Sequence, residues 1–159
     1  MKRVHFIAIG GKAKHSLAIT LKYNGYIVSG SDDKIEEPIY SSLKFHGVLP
    51  DAIPYNANKI TSDIDAVIIG RRVDKDNVEF KKAQELGLKI FSYPEFIYEV
   101  SKQKQRIVIA GSHGKHTIAS IVMHVLKYYD KDFDYLVSAP VQGHEGTILL
   151  SPKKKIIII

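Results

Sequence analysis

GSHGKHT, residues 111–117, lies between the apolar run RIVIA (106–110) and a long amphipathic run, HTIASIVMHVLKYY (116–129). A strand, a Gly-containing turn and a helix form the setting in which backbone N–H groups and a helix N-terminus gather phosphate. In the general phosphate-binding loop the Lys is followed at once by Ser or Thr, whose hydroxyl reaches Mg²⁺. Here Lys115 is followed by His116, and the hydroxyl comes one position late, at Thr117. The general pattern also has a Gly separated by four residues from the Gly–Lys pair, and Ile109 holds that place. The stretch therefore reads as a phosphate loop of altered form.

Upstream, apolar runs alternate with helical patterns. Strands are expected at Val4–Ile9, at YIVSGSDD (26–33), at DAVIIG (65–70) and at LKIFS (88–92). Helices are expected over 13–24, 37–47, 77–87 and 93–102, the first three closed by Gly25, Gly47 and Gly87. This alternation, with short turns, predicts a parallel sheet covered by helices. KQKQR (102–106) is the best candidate linker. After it the pattern restarts with a strand at 107–111, the loop, a helix at 116–129, a strand at DYLVSA (134–139), a turn-rich stretch and the run Ile156–Ile159. The fold class expected is α/β: a Rossmann-like parallel-sheet domain over 1–103, then the beginning of a P-loop-type α/β domain over 104–159. Four Ile residues are a strong β signal. As an edge strand they would invite aggregation, so the second unit is expected to be cut off in the middle of a sheet.

The first strand-to-helix turn is AIGGKAKH (8–15), a weakened form of the dinucleotide fingerprint Gly-x-Gly-x-x-Gly/Ala. Some 20 residues on, the second strand ends in Ser31, Asp32 and Asp33, where an acid that binds ribose is expected. By itself this turn reads equally as a nucleotide site or as a plain tight turn. Lys12, Lys14 and His15 lie near the helix start, and Lys14 reads either as a charge for the ligand or as a solvated side chain. His5, inside an apolar strand, reads as a satisfied core or edge histidine.

The 159 residues are 45% hydrophobic and 25% charged, which suits a globular protein rather than a disordered one. The formal charge of +6 favours anionic ligands. The Lys residues are scattered, however, so the charge reads as a solvated surface rather than a nucleic-acid face. There is no Cys, which excludes disulfides and thiolate zinc. His113, His116 and His124 have no neighbouring carboxylate in sequence, and no metal site is expected of them. No run is long enough to span a bilayer. A cytoplasmic protein with no nucleic-acid or membrane partner is expected.

Together these features resemble one family, the Mur ligases of peptidoglycan metabolism. Their short loop Gly-Thr-His-Gly-Lys-Thr departs from the general pattern as GSHGK does. HFIAIGG is similar to the first strand and loop of the branch that takes UDP-N-acetylmuramate species. GYIVSGSD is similar to its second strand, and NVEFKKAQELGLKIFSYPEF to its stretch before the linker. The resemblance covers nearly the whole chain. It implies an ATP-dependent ligase in which ATP phosphorylates a carboxylate and an amine then displaces the phosphate. The amine would be that of L-alanine or of a recycled tripeptide. The resemblance implies ATP binding by Gly111, Ser112, His113, Gly114, Lys115, His116 and Thr117, with Lys115 neutralising charge on the transferred group. It implies that Gly10, Gly11, Lys12 and the helix start hold the UDP diphosphate of a UDP-N-acetylmuramate-type substrate, with Ser31 and Asp32 near the nucleoside. ATP and Mg²⁺ are the implied cofactors, with Mg²⁺ put in doubt by His116.

Several positions depart from the family pattern. Lys14 stands where Met is usual, Arg71–Arg72–Val73 where a His-Ala-Arg-like stretch is common, and His116 where Thr is expected. An acidic metal-binding stretch and a C-terminal domain are not among the 159 residues, so the chain alone is expected to be inactive. Two other readings compete. One is a non-catalytic UDP-sugar-binding module. The other is half of a nicotinamide-dependent enzyme, which has no need of the second loop.

Overall fold

Val4, Phe6 and Ile7 are almost wholly buried, as is Ile9 just beyond the strand. Their strand is flanked on both sides, which is why it reads as a continuous apolar run. The computed structural model describes residues 2–71 and 73–159; Arg72 of the Arg71–Val73 stretch lies outside the described residues. The chain divides into two units, one reaching Ile97 and one from Tyr98 to Ile159.

The first unit runs β1 (Arg3–Ile7), α1 (Lys12–Tyr23), β2 (Ile27–Ser31), α2 (Ile39–Phe45), a 3₁₀ turn (Ala57–Lys59), β3 (Ala66–Ile69), α3 (Val78–Glu85) and β4 (Ile90–Ser92), and ends within α4 (Tyr93–Ser101). Its four strands are parallel, in the order β2-β1-β3-β4. The chain steps to one side of β1 to make β2 and returns to the other side to make β3, so the strand order reverses between β1 and β3. Ile7 and Val67 pack with Ile60, Ile64 and Ala83 in one core cluster. α1 buries Leu17, Ala18 and Leu21, the i, i+1, i+4 face of an amphipathic helix. α1, α2 and α3 are followed by Gly25, Gly47 and Gly87 at φ of 82°, 64° and 65°, left-handed positions where a side chain would be strained. Asn77 caps α3, its side-chain oxygen accepting from the amides of Glu79 and Phe80 at 2.9 and 3.1 Å.

The second unit contains β5 (Gln105–Ile107), α5 (Lys115–Tyr128), β6 (Phe133–Leu136), β7 (Ile148–Leu149) and β8 (Ile156–Ile158). The sheet order is β5-β8-β6-β7. β8 is parallel to both its neighbours, and only β7 is antiparallel. Ala119 and Met123 of α5 pack on Phe133, Tyr135, Val141 and Ile158.

The structure adds to or corrects the sequence reading at three places. The Ile run is an interior strand with Ile157 and Ile158 fully buried, so the edge-strand hazard does not arise. The proposed linker 102–106 is partly strand. Its Lys104 is a half-buried tie: Nζ donates to Asp134 Oδ2 at 2.6 Å, to the Lys154 carbonyl at 2.8 Å and to the Ser151 carbonyl. The turn-rich stretch contains the short strand β7, held against β6 by Tyr135↔Leu149 and Leu136↔Ile148.

Candidate functional site

The first turn leaves β1 through Ala8, whose φ of 67° is left-handed and costs a non-Gly residue strain. Gly10 follows. Its amide donates to Asp32 Oδ2 at 2.6 Å, and a Cβ there would stand 2.9 Å from that same oxygen. Glycine is thus needed at position 10 for a close approach to the acid. Asp32 Oδ1 accepts from the Asp33 amide at 2.9 Å. The visible work of Asp32 is therefore to fix the loop from the end of β2.

Gly11 caps α1 with no side-chain hydrogen bond, and no acid lies in the first turn. The first amides of a helix have no partner within it. Here they keep their capacity to hold an anion, aided by the helix dipole. Lys12 is exposed beside them, and Lys14 is half-buried.

Ser31 is fully buried, and its hydroxyl donates to Glu79 Oε2. The same oxygen lies 3.2 Å from His5 Nε2, while His5 Nδ1 lies 2.9 Å from Ser29 Oγ. Glu79 Oε1 accepts from the Asn56 amide at 2.9 Å. Ser31 therefore belongs to a polar chain beneath the loop, and His5 is a satisfied core histidine. Burial alone would raise the Glu79 carboxyl, but the hydrogen bonds from His5, Ser31 and Asn56 outweigh it and hold the group below its ordinary value. Glu79 was not foreseen. Its only sequence signal is a spacing of four from the buried Ala83, on a helix face that an acid does not normally occupy unpaired. Tyr55 is pushed up to about 12 by burial and by the charges of Asp32, Asp33 and Glu79.

The second loop, Gly111 to Lys115, is exposed throughout. Gly114 caps α5 at φ 73°, ψ −5°, again with no side-chain cap and no acid in the first turn. Lys115 folds over the loop, donating from Nζ to the Ser112 carbonyl at 3.2 Å and to the Gly111 carbonyl. His113 Nδ1 lies 3.3 Å from Ser112 Oγ. His116 turns elsewhere: its Nε2 donates to the Ala139 carbonyl at 3.0 Å, tying the helix start to the chain after β6. Thr117 is exposed.

The residues around this loop do not fit a magnesium ion. Neither the loop nor the first turn contains a carboxylate, and an imidazole nitrogen is a poor ligand for a cation that demands octahedral oxygen. Among the described residues no group of three or more His, Asp or Glu could hold a metal ion, and no helix is long and apolar enough to cross a membrane.

Residues 3–105 match the family described as "Mur ligase family, catalytic domain". The chain is 37% identical over 127 residues to the UDP-N-acetylmuramate–L-alanine ligase of Carboxydothermus hydrogenoformans, covering 80% of this chain and 27% of that relative. It is 38% identical over 146 residues to the enzyme of the same name from Clostridium perfringens, covering 91% of this chain and 31% of that one. Among solved structures it is similar to the UDP-N-acetylmuramate:L-alanyl-gamma-D-glutamyl-meso-diaminopimelate ligase from Neisseria meningitides. That match has a TM-score of 0.81 and 27% identity, covering 100% of this chain and 52% of that one. The chain thus spans about a third or less of the length of those two sequence relatives.

Proposed function

The chain belongs to the Mur ligase family, and on that premise we propose that it supplies the nucleotide-holding part of an ATP-dependent cytoplasmic ligase acting on UDP-N-acetylmuramate. The amine substrate in this proposal is L-alanine or the L-alanyl-γ-D-glutamyl-meso-diaminopimelate peptide, the two named for its relatives. The UDP diphosphate rests on Gly11 and the first amides of α1. Gly10 and Asp32 hold that turn in shape, and Lys12 stands at its edge. Ser31 acts from beneath, through Glu79. At the second loop the ATP phosphates meet the Gly111–Gly114 backbone and Lys115, whose ammonium exchanges loop carbonyls for phosphate oxygens. In the whole ligase, Lys115 stabilises charge as the phosphoryl group passes to the substrate carboxylate.

The observation that carries this reading is the 2.6 Å bond between the Gly10 amide and Asp32. It joins the two separate sequence signals, the Gly–Gly turn and the acid after β2, into one rigid element at the crest of a parallel sheet, where such sheets hold nucleotides. The second reading, a UDP-sugar-binding module without catalysis, is favoured by His116, which occupies the threonine position and is bonded to Ala139. Titration with UDP-N-acetylmuramate, followed by amide chemical shifts, is expected to move Gly10, Gly11 and Lys12 first. Shifts confined to residues beyond Ile97 would overturn the assignment of the UDP site.

A further inference from the structure

Lys14 stands in the first turn of α1, and its half-buried side chain lies back over the loop. Its Cε and Nζ lie 2.9 and 3.4 Å from where a Cβ on Gly11 would be, and Nζ also occupies the place of a Cβ on Gly70. Gly11 follows β1 and Gly70 follows β3, the pair between which the strand order reverses. In open α/β sheets the crevice outside the carboxyl ends of such a pair is where ligands bind. The Lys14 ammonium thus lies across the mouth of that crevice, over a floor of two glycines.

The charge that acts on it among the described residues is that of Asp32. Among the described residues Lys14 Nζ makes no hydrogen bond and no ion pair. Asp32 is the acid that faces it, and both Asp32 oxygens already accept amide hydrogens, from Gly10 and Asp33. Burial lowers Lys14 from its ordinary value and the Asp32 charge acts against that. A half-buried ammonium with no acceptor in the protein gives up part of its hydration at a cost in free energy. An anion seated on the neighbouring helix start would relieve that cost.

We propose that Lys14 is a further binding residue of the Gly10–Gly11 site, its ammonium taking the diphosphate charge of a nucleoside diphosphate and making affinity depend on that charge. The inference rests on the proposed UDP site and adds a residue whose type departs from the Met usual in the family's pattern. The alternative is packing alone, with the aliphatic stem covering Gly11 and Gly70 and the head reaching water.

Calorimetry on the 159-residue chain and on Lys14→Met and Lys14→Arg separates the two, with UDP, UMP and uridine as ligands at low and high salt. Lys14→Met is expected to weaken UDP about tenfold, as for loss of a hydrogen bond to a charged group. It should weaken UMP less, leave uridine unchanged and flatten the salt dependence of UDP binding. Lys14→Arg should retain most of the UDP affinity. Thermal unfolding of Lys14→Met should occur at or above the wild-type temperature, because the cost of burying the charge outweighs its attraction to Asp32. Equal UDP affinity and equal salt dependence in wild type and Lys14→Met would overturn the role of Lys14 while leaving the site itself standing. Equal losses for UDP and uridine would show a packing role and overturn it too. If wild type binds no UDP, the site reading fails and Lys14 with it.

Discussion

Among single residues, Glu79 carries more of the first site than its place in the sequence suggests. Its two oxygens collect bonds from β1 (His5), β2 (Ser31) and the segment before the 3₁₀ turn (Asn56). The same β2 end carries Asp32, whose amide donates to the Ile53 carbonyl at 2.8 Å. A buried carboxylate is costly unless hydrogen-bonded, and removing it leaves the buried His5 and Ser31 without their shared partner and the Asn56 amide without its acceptor. Glu79→Ala should therefore cost on the order of 3 kcal/mol. The pH dependence has a definite sign. The folded-state value lies below the ordinary one of 4.5, so the contribution of Glu79 is present above pH 4.5 and is lost as pH falls through the folded value. Urea unfolding at pH 7 and at stepwise lower pH values below 4.5 should show a steeper acid loss in wild type than in Glu79→Gln. Identical slopes would mean that the carboxylate does not ionise as described.

At the scale of elements, the start of α5 decides what the altered phosphate loop can do. One residue turns a helix by about 100°, so Thr117 does not stand where a hydroxyl at position 116 would. The 116 side chain itself is turned to Ala139. What remains for the proposed ATP site is its metal-independent part: Gly114 at its left-handed cap, the first-turn amides and Lys115. His116→Thr restores the hydroxyl and gives up the tie to the chain after β6. The variant is expected to bind ATP more tightly than wild type in Mg²⁺, with little difference between them in EDTA. A gain of the same size in both buffers would show that relief of the Ala139 tie, and not the hydroxyl, is responsible. The Ile run teaches the same lesson in a strand. Its composition marked it as β, but only pairing with β5 on one side and β6 on the other shows why four Ile residues are tolerated there. Neighbours so distant in sequence leave no local signal.

Over the whole molecule, the alternation of strand and helix was legible because the central strands, buried on both faces, read as short apolar runs, while the helices bury one face and end sharply. Gly25, Gly47 and Gly87 mark helix ends by backbone sterics alone. The loops were legible as candidate sites because glycines at a strand-to-helix turn are a local sequence signal. The sequence did not reveal the buried polar ties, Glu79 with His5 and Lys104 with Asp134, because a charged residue in a polar stretch looks solvated until its partner is placed. It also did not reveal where Lys14 points, since that depends on Gly70, a residue of another strand.

Turnover is a property of more than these two loops. Carboxylate activation needs the phosphoryl donor, the acceptor carboxylate and charge-neutralising groups held within reacting distance. The chain covers 27–31% of the two L-alanine-ligase relatives described above, and the loop residues around Lys115 offer no carboxylate for a metal. The 159-residue polypeptide is therefore expected to bind nucleotide without releasing phosphate. The measurement is phosphate release with ATP, Mg²⁺ and UDP-N-acetylmuramate, in the presence of L-alanine or the diaminopimelate tripeptide, beside a Lys115→Ala control. Wild type and control should release phosphate at the same background rate with either amine. Substrate-dependent release by wild type well above the control would mean that the two loops assemble a working phosphoryl-transfer centre unaided.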